Sequence, residues 1–214
     1  MAVLSYIVVS IAAYLLGSIP TGFLVAKARG GDIRAVGSGN IGAANTFRSV
    51  GKTAGFFVLL MDALKGYLAV EVSDVILNYF GVPEPARESY RIVAGIFAVL
   101  GHNYTCWLHF KGGKGIATSG GVYLALAPLA VLYAFIAFVV GFAVTRITSV
   151  GSIMAAIALP TAVCVTKDNW ALRIVTIALG VLAILKHRTN IQRLIAGTEN
   201  RVSFKKKSPS PNET

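Results

Sequence analysis

Apolar runs long enough to enter a bilayer, divided by short polar segments, govern what this chain can fold into. They cover about residues 3–25, 54–80, 90–107, 117–127, 129–145, 151–166 and 169–186. A spanning helix needs about 20 mostly apolar residues. The chain is 55% hydrophobic and only 14% charged over 214 residues, less charge than a soluble domain carries. The expected fold is therefore all-α: a polytopic membrane helical bundle of seven spans within one domain, residues 1–204. Residues 205–214 are basic and then Ser/Pro-rich, and are expected to be a disordered tail.

The division near Pro128 follows from length. Residues 116–145 as one helix would be about 45 Å long at 1.5 Å per residue, against a hydrocarbon thickness of about 30 Å. Two short spans meeting at Pro128 fit better. Charge gives the orientation. Lys27, Arg29, Arg34, Arg48 and Lys52 share one connection, opposed by Asp32 alone. Lys186, Arg188, Arg193, Arg201 and Lys205–Lys207 crowd the C-terminal end. Glu71, Asp74, Glu84 and Glu88 mark a different connection. Positive charge stays cytoplasmic, so the N-terminus is expected outside and the C-terminus in the cytoplasm. The first run lacks a basic leader and an obvious cleavage site and reads as a retained span.

Net charge is +11. Most of that excess is topological. It is interleaved with spans, and no soluble module carries a recognition element, so nucleic acid is not an expected partner. Cys106 and Cys164 have neither ligand spacing nor an evident disulfide mate and read as small buried thiols. No metal cluster and no nucleotide motif is seen, so no cofactor is expected.

Three polar patches carry the chemistry: residues 37–52 (GSGNIGAANTFRSVGK), 110–119 (FKGGKGIATS) and 187–199 (HRTNIQRLIAGTE). Glycine-rich backbone exposes N–H groups that can wrap an oxyanion, and Lys and Arg add charge. In the first, Ser38, Asn40, Asn45 and Arg48 accompany the glycines and suit an anion or a polyol. The GxGxxG string at residues 37–42 is not a dinucleotide fingerprint, because no strand precedes it. Gly51-Lys52-Thr53 fails as a Walker loop, since the first glycine would fall on Thr46. In the second patch, Gly112, Gly113 and Gly115 surround Lys114 at a helix start, where backbone N–H groups and the helix dipole favour an anion. In the third, His187 and Asn190 share a helical face, followed by Arg193 and Glu199. Ser149 and Ser152, at the mouth between two spans, could bind a ligand or cap a helix. His102 and His109 read as interfacial, with His102 able to order the nearby loop. Asp62 and Lys65, three residues apart inside a span, read as a structural pair.

Together these strings resemble the acyl-phosphate-dependent glycerol-3-phosphate 1-acyltransferases of bacteria, the PlsY family. The similarity runs from Gly17-Ser-Ile-Pro-Thr-Gly22 to Glu199. Ser38-Gly-Asn-Ile-Gly-Ala-Ala-Asn45 with Arg48 resembles the first family signature. Gly101-His-Asn103 with residues 110–118 resembles the second, and residues 187–193 with Gly197 and Glu199 the third. The resemblance implies transfer of a fatty acyl group from acyl phosphate to the 1-hydroxyl of glycerol 3-phosphate, giving lysophosphatidic acid and inorganic phosphate. It implies glycerol-3-phosphate contacts at Ser38, Arg48, Lys114, Ser152, His187 and Asn190, with the glycine–lysine loop as acyl-phosphate cradle. It also implies a place in the bacterial inner membrane with the site facing the cytoplasm. A soluble enzyme that makes acyl phosphate is then a partner to expect.

The residue types suit that chemistry by themselves. Both reactants are phosphates and need cations and N–H donors. Acyl phosphate is already activated, so the protein has mainly to position the hydroxyl and stabilise developing charge. The hydroxyl proton can pass to His187 or to a phosphate oxygen of the substrate; the resemblance implies the second, with His187 orienting. Thioester-using acyltransferases with a His-x4-Asp pair do not fit, because Trp107, Lys114 and Gln192 stand where the Asp would be. A transporter for a small organophosphate would also explain the anion patches, but it predicts polar residues at the midplane of several spans.

Overall fold

The computed structural model describes residues 2–202. The expected disordered tail at 205–214 lies outside them. Ten α-helices make up the described chain: α1 (Ala2–Ser18), α2 (Thr21–Ala28), α3 (Ala43–Ser49), α4 (Lys52–Tyr79), α5 (Arg87–Asn103), α6 (Ile116–Leu126), α7 (Pro128–Thr145), α8 (Thr148–Thr166), α9 (Trp170–Lys186) and α10 (Arg188–Ile195). No strand occurs among the described residues.

Among the described residues, four helical stretches are long and apolar enough to cross a bilayer: Ala2–Ala28, Lys52–Tyr79, Pro128–Thr145 and Thr148–Thr166. The pair α9 and α10, bent by 54°, makes a fifth if taken as one span. α6 is a shorter apolar helix of 11 residues, below the roughly 20 of an ordinary span. Pro128 opens α7 as expected, at the position where a missing N–H costs no helical bond. The first apolar run, by contrast, is broken at Ile19-Pro20. Pro20 has no N–H and interrupts the helical ladder. The Ile19 carbonyl there accepts from Lys65 Nζ at 2.7 Å.

Lipid offers helices no hydrophobic reason to associate, so close packing through small residues holds the bundle. A Cβ on Gly121 would stand 1.8 Å from the Ala63 carbonyl oxygen, and one on Gly66 2.1 Å from that of Thr118. α4 and α6 therefore touch backbone to backbone. Gly17 against Ala98 and Gly101 against Tyr14 do the same for α1 and α5, and Gly141 against Gly151 for α7 and α8. Asp62 and Lys65 form a buried ion pair at 2.8 Å, and Asp62 also lies 3.7 Å from His102 Nδ1. The pair ties α4 to the α1–α2 break, the structural role read from the sequence.

Candidate functional site

The three polar patches meet. The connection before α4, the loop before α6, the start of α8 and the α9–α10 corner enclose a cavity of about 430 Å³. Its polar lining includes Ser38, Asn40, Arg48, Lys114, Ser149, Ser152, His187 and Asn190. Its apolar lining includes Phe47, Phe56, Leu59, Phe138 and Phe142. A second, more polar cavity of about 490 Å³ shares Ser38, Asn40 and Lys114 and is otherwise bounded by residues such as Gly112, Gly113, Lys186, Arg188 and Arg193.

Glu199 organises the cationic side. Its Oε1 accepts from Asn190 Nδ2 at 2.6 Å and from the Ser149 hydroxyl at 2.9 Å, and its Oε2 accepts from Arg193 Nε at 2.5 Å. Asn190 Oδ1 in turn accepts from Lys114 Nζ. One carboxylate therefore aligns α8, α10 and, through Asn190, the glycine–lysine loop. Burial pushes the Glu199 carboxyl up, but the hydrogen bonds from Arg193, Asn190 and Ser149 outweigh it and hold it below its ordinary value. Burial lowers Lys114 to about 8, with Glu199 opposing and the Arg193 and Arg48 charges adding to the shift. Burial also lowers Arg48, against the pull of Glu199.

Several groups are left free for a ligand. Among the described residues the Ser38 hydroxyl, the Arg48 guanidinium and the Ser152 hydroxyl make no hydrogen bond or ion pair, and all three line the cavity. Ser149, bound to Glu199, is spent; Ser152 is the serine with an open hydroxyl. His187 is 3% exposed, and its Nδ1 lies 2.8 Å from the Ala183 carbonyl. A carbonyl only accepts, so Nδ1 carries the proton and Nε2 holds the acceptor lone pair.

The glycine loop works differently from its sequence reading. The N–H groups of Gly112 and Gly113 donate to the Asn103 and His102 carbonyls at 3.2 and 3.0 Å, knitting the loop to the end of α5. A Cβ on Gly113 would stand 2.1 Å from His102 Nε2, so these glycines permit that approach. His102 thus orders the loop, as the sequence suggested. The peptide donors left open include those of Lys114, Gly115, Ile116 and Ala117. They make no hydrogen bond among the described residues and belong to residues that line the cavity. They sit at the positive end of the α6 dipole. Gly115 has φ +80°, a left-handed turn that starts α6.

Asn45 has a similar outcome. It is 2% exposed, its Oδ1 accepts from the Ser38 N–H at 3.0 Å, and its Nδ2 reaches the Val36 and Asn40 carbonyls at 3.0 Å. It shapes the loop that presents Ser38. Asn40 is partly spent as well, its Oδ1 accepting from the Gly42 N–H at 2.9 Å. Arg193 is tied to Glu199 and borders the second cavity.

Sequence reasoning missed Phe138 and Phe142, Asp62 and His102 as cavity walls. The aromatic pair gave no signal beyond apolarity, because the cavity that singles it out exists only once the helices pack.

A family model for glycerol-3-phosphate acyltransferase matches residues 7–197. The chain is 46% identical over 198 residues to a glycerol-3-phosphate acyltransferase of Geobacter sulfurreducens, covering 92% of this chain and 98% of the relative. It is 50% identical over 189 residues to one of Geobacter metallireducens, covering 88% and 93%. Two crystal structures of the integral membrane glycerol 3-phosphate acyltransferase PlsY are similar. The glycerol 3-phosphate form has a TM-score of 0.84 at 38% identity, and the lysophosphatidic acid form 0.81 at 37%. Each match covers 93% of this chain and 96% of the solved one. With matches spanning nearly its whole length, this chain belongs to the glycerol-3-phosphate acyltransferase family.

Proposed function

We propose that this protein transfers a fatty acyl group from acyl phosphate to the 1-hydroxyl of glycerol 3-phosphate. The products are lysophosphatidic acid and inorganic phosphate. The reading extends to a multi-pass protein of the bacterial inner membrane with seven spans, its N-terminus outside and its active site on the cytoplasmic side. Donor supply would come from a soluble enzyme that makes acyl phosphate. The observation that carries the reading is the convergence of free phosphate-binding groups and an apolar wall in one cavity. Arg48, Ser38, Ser152 and the α6 N–H groups stand beside Phe47, Phe138 and Phe142. An anionic head group and a hydrocarbon chain need those two surfaces side by side.

In this reading Arg48, Ser38 and Ser152 hold the phosphate of glycerol 3-phosphate, and Lys114 with the α6 N-terminus holds that of the donor. The acceptor oxygen attacks the acyl carbonyl carbon, the carbonyl–phosphate C–O bond breaks, and phosphate leaves with the electron pair. The 1-hydroxyl proton passes to a phosphate oxygen, while His187 Nε2 accepts a hydrogen bond from the neighbouring 2-hydroxyl and so orients the acceptor. Catalysis is then mostly positioning and electrostatic stabilisation.

The test is an assay of purified protein with palmitoyl phosphate or palmitoyl-CoA as donor. Lysophosphatidic acid from the phosphate donor alone is the expected result. Turnover with the thioester alone, or glycerol 3-phosphate uptake independent of any donor, would overturn the reading.

A further inference from the structure

The apolar part of the cavity is not uniform. On the α4 side Phe56 and Leu59 are 65% and 46% exposed, so that wall faces lipid and can yield. On the other side α7 contributes only Phe142 and Phe138. Phe138 is two helical turns before Thr145, roughly 10 Å from that end of the helix at 1.5 Å per residue. The start of α8, with Ser149 and Ser152, lies just past Thr145. Phe138 is therefore the α7 lining residue farthest from the polar end.

Its ring is held from behind. A Cβ on Gly151 of α8 would stand 3.0 and 3.2 Å from two of its ring carbons and 2.6 Å from the Phe138 carbonyl oxygen. The ring rests directly on α8 backbone and cannot retreat. Phe142 stacks beside it, centroids 6.2 Å apart and planes 15° from parallel. A ring fixed this way makes a stiff wall, which discriminates by shape where a flexible side chain would adapt.

We propose that Phe138, seated on Gly151, sets which acyl-chain lengths the cavity accepts. The inference rests on the reading of the apolar wall as the acyl-chain surface. Each methylene that loses or gains burial changes binding by about fourfold, so a wall displaced by one ring shifts preference measurably.

The test compares kcat/KM for decanoyl, myristoyl, palmitoyl and stearoyl phosphate in wild type, Phe138→Ala and Phe138→Trp. Both substitutions change the ring that rests on Gly151, so a thermal unfolding profile of each variant confirms that the α7–α8 crossing is kept before the ratios are compared. Phe138→Ala is expected to raise the stearoyl-to-myristoyl ratio by about fourfold or more, and Phe138→Trp to lower it by a similar factor. The KM for glycerol 3-phosphate stays unchanged in both. Ratios equal to wild type in both variants would overturn the proposal, as would an equal loss at every chain length. A wild-type protein that uses none of the four donors would instead bring down the functional reading itself, before any variant is compared.

Discussion

Lys114 donates a hydrogen bond to the Oδ1 of Asn190, across 76 positions of sequence. Asn190 passes the connection to Glu199 through its Nδ2 at 2.6 Å. The amide thus has its acceptor and one donor committed to protein partners. It fixes where the ammonium points, and the carboxylate behind it fixes the amide. The side chains proposed to meet the glycerol 3-phosphate head group are others that line the cavity: Arg48, Ser38 and Ser152.

Asn190→Ala removes the group that aims Lys114 and leaves one Glu199 oxygen short of a donor. We expect kcat/KM for acyl transfer to fall by about 10²-fold or more, the scale seen when one preorganised electrostatic contact is lost. Steady-state kinetics in detergent measure it. A thermal unfolding profile should show a modest loss of stability, since a hydrogen bond to a charged group contributes about 1.5–3 kcal/mol. Wild-type kcat/KM would contradict this alignment role.

Lys114 gives the pH dependence its sign. Burial depresses it to about 8, so the ammonium is present below that pH and is lost as pH rises through it. The uncharged amine cannot neutralise a phosphate. kcat/KM should therefore fall above pH about 8, while the limb in kcat lies higher, because a bound dianion draws the pKa back up. Phosphate monoesters complete their ionisation near pH 6, so the substrate does not produce this limb. Lys114→Arg, charged throughout the range, should abolish the limb even if its activity is low. A profile flat to pH about 10 in the wild type would refute the assignment.

Much of this was legible in the sequence because charge is costly in lipid and, clustered with glycines in a short segment, appears only where something requires it. The three patches stood out for that reason, and Pro128 marked a helix start. The donor set of the glycine loop was displaced by two residues, because its first peptide groups pair with α5, and sequence does not say which backbone lies opposite. Asn45 read as a ligand-binding amide but is consumed by carbonyls of its own loop. Pro20 could have revealed the break after α1, which the continuous apolarity of residues 3–25 concealed. α3 and α10 are short polar helices, hidden because their period is brief and their composition resembles a loop. The hub role of Glu199 needed three-dimensional neighbours to be seen, since Ser149 is 50 positions away.

Gly121 tests the packing of the fold. Its missing Cβ would lie 1.8 Å from the Ala63 carbonyl oxygen, a backbone atom that moves only if α4 and α6 separate. Gly121→Val should lower the unfolding temperature in detergent and reduce folded yield, with overpacking costing about 1–3 kcal/mol. Gly120, one position away, has nothing within 4 Å of its Cβ site and serves as the control. Gly120→Ala should unfold as the wild type does. Equal behaviour of the two variants would argue against the close α4–α6 crossing.

His187 separates the two routes for the proton. Its Nδ1 is bound to the Ala183 carbonyl, so Nε2 is the atom available to the acceptor hydroxyl. As a general base, imidazole would contribute about 10²–10⁴-fold to kcat. As an orienting acceptor it holds the neighbouring 2-hydroxyl, and the proton of the attacking 1-hydroxyl travels on a phosphate oxygen that departs with the product. Asn at this position keeps an acceptor carbonyl but cannot take up a proton near neutrality. His187→Asn should therefore lower kcat by less than about tenfold while raising the KM for glycerol 3-phosphate. Single-turnover kinetics with excess enzyme isolate the chemical step. A fall of about 10²-fold or more in that step, with KM unchanged, would make imidazole the proton acceptor. The expected pattern leaves the leaving phosphate in that role, in keeping with a site whose one nearby Glu, Glu199, is held by Asn190, Ser149 and Arg193.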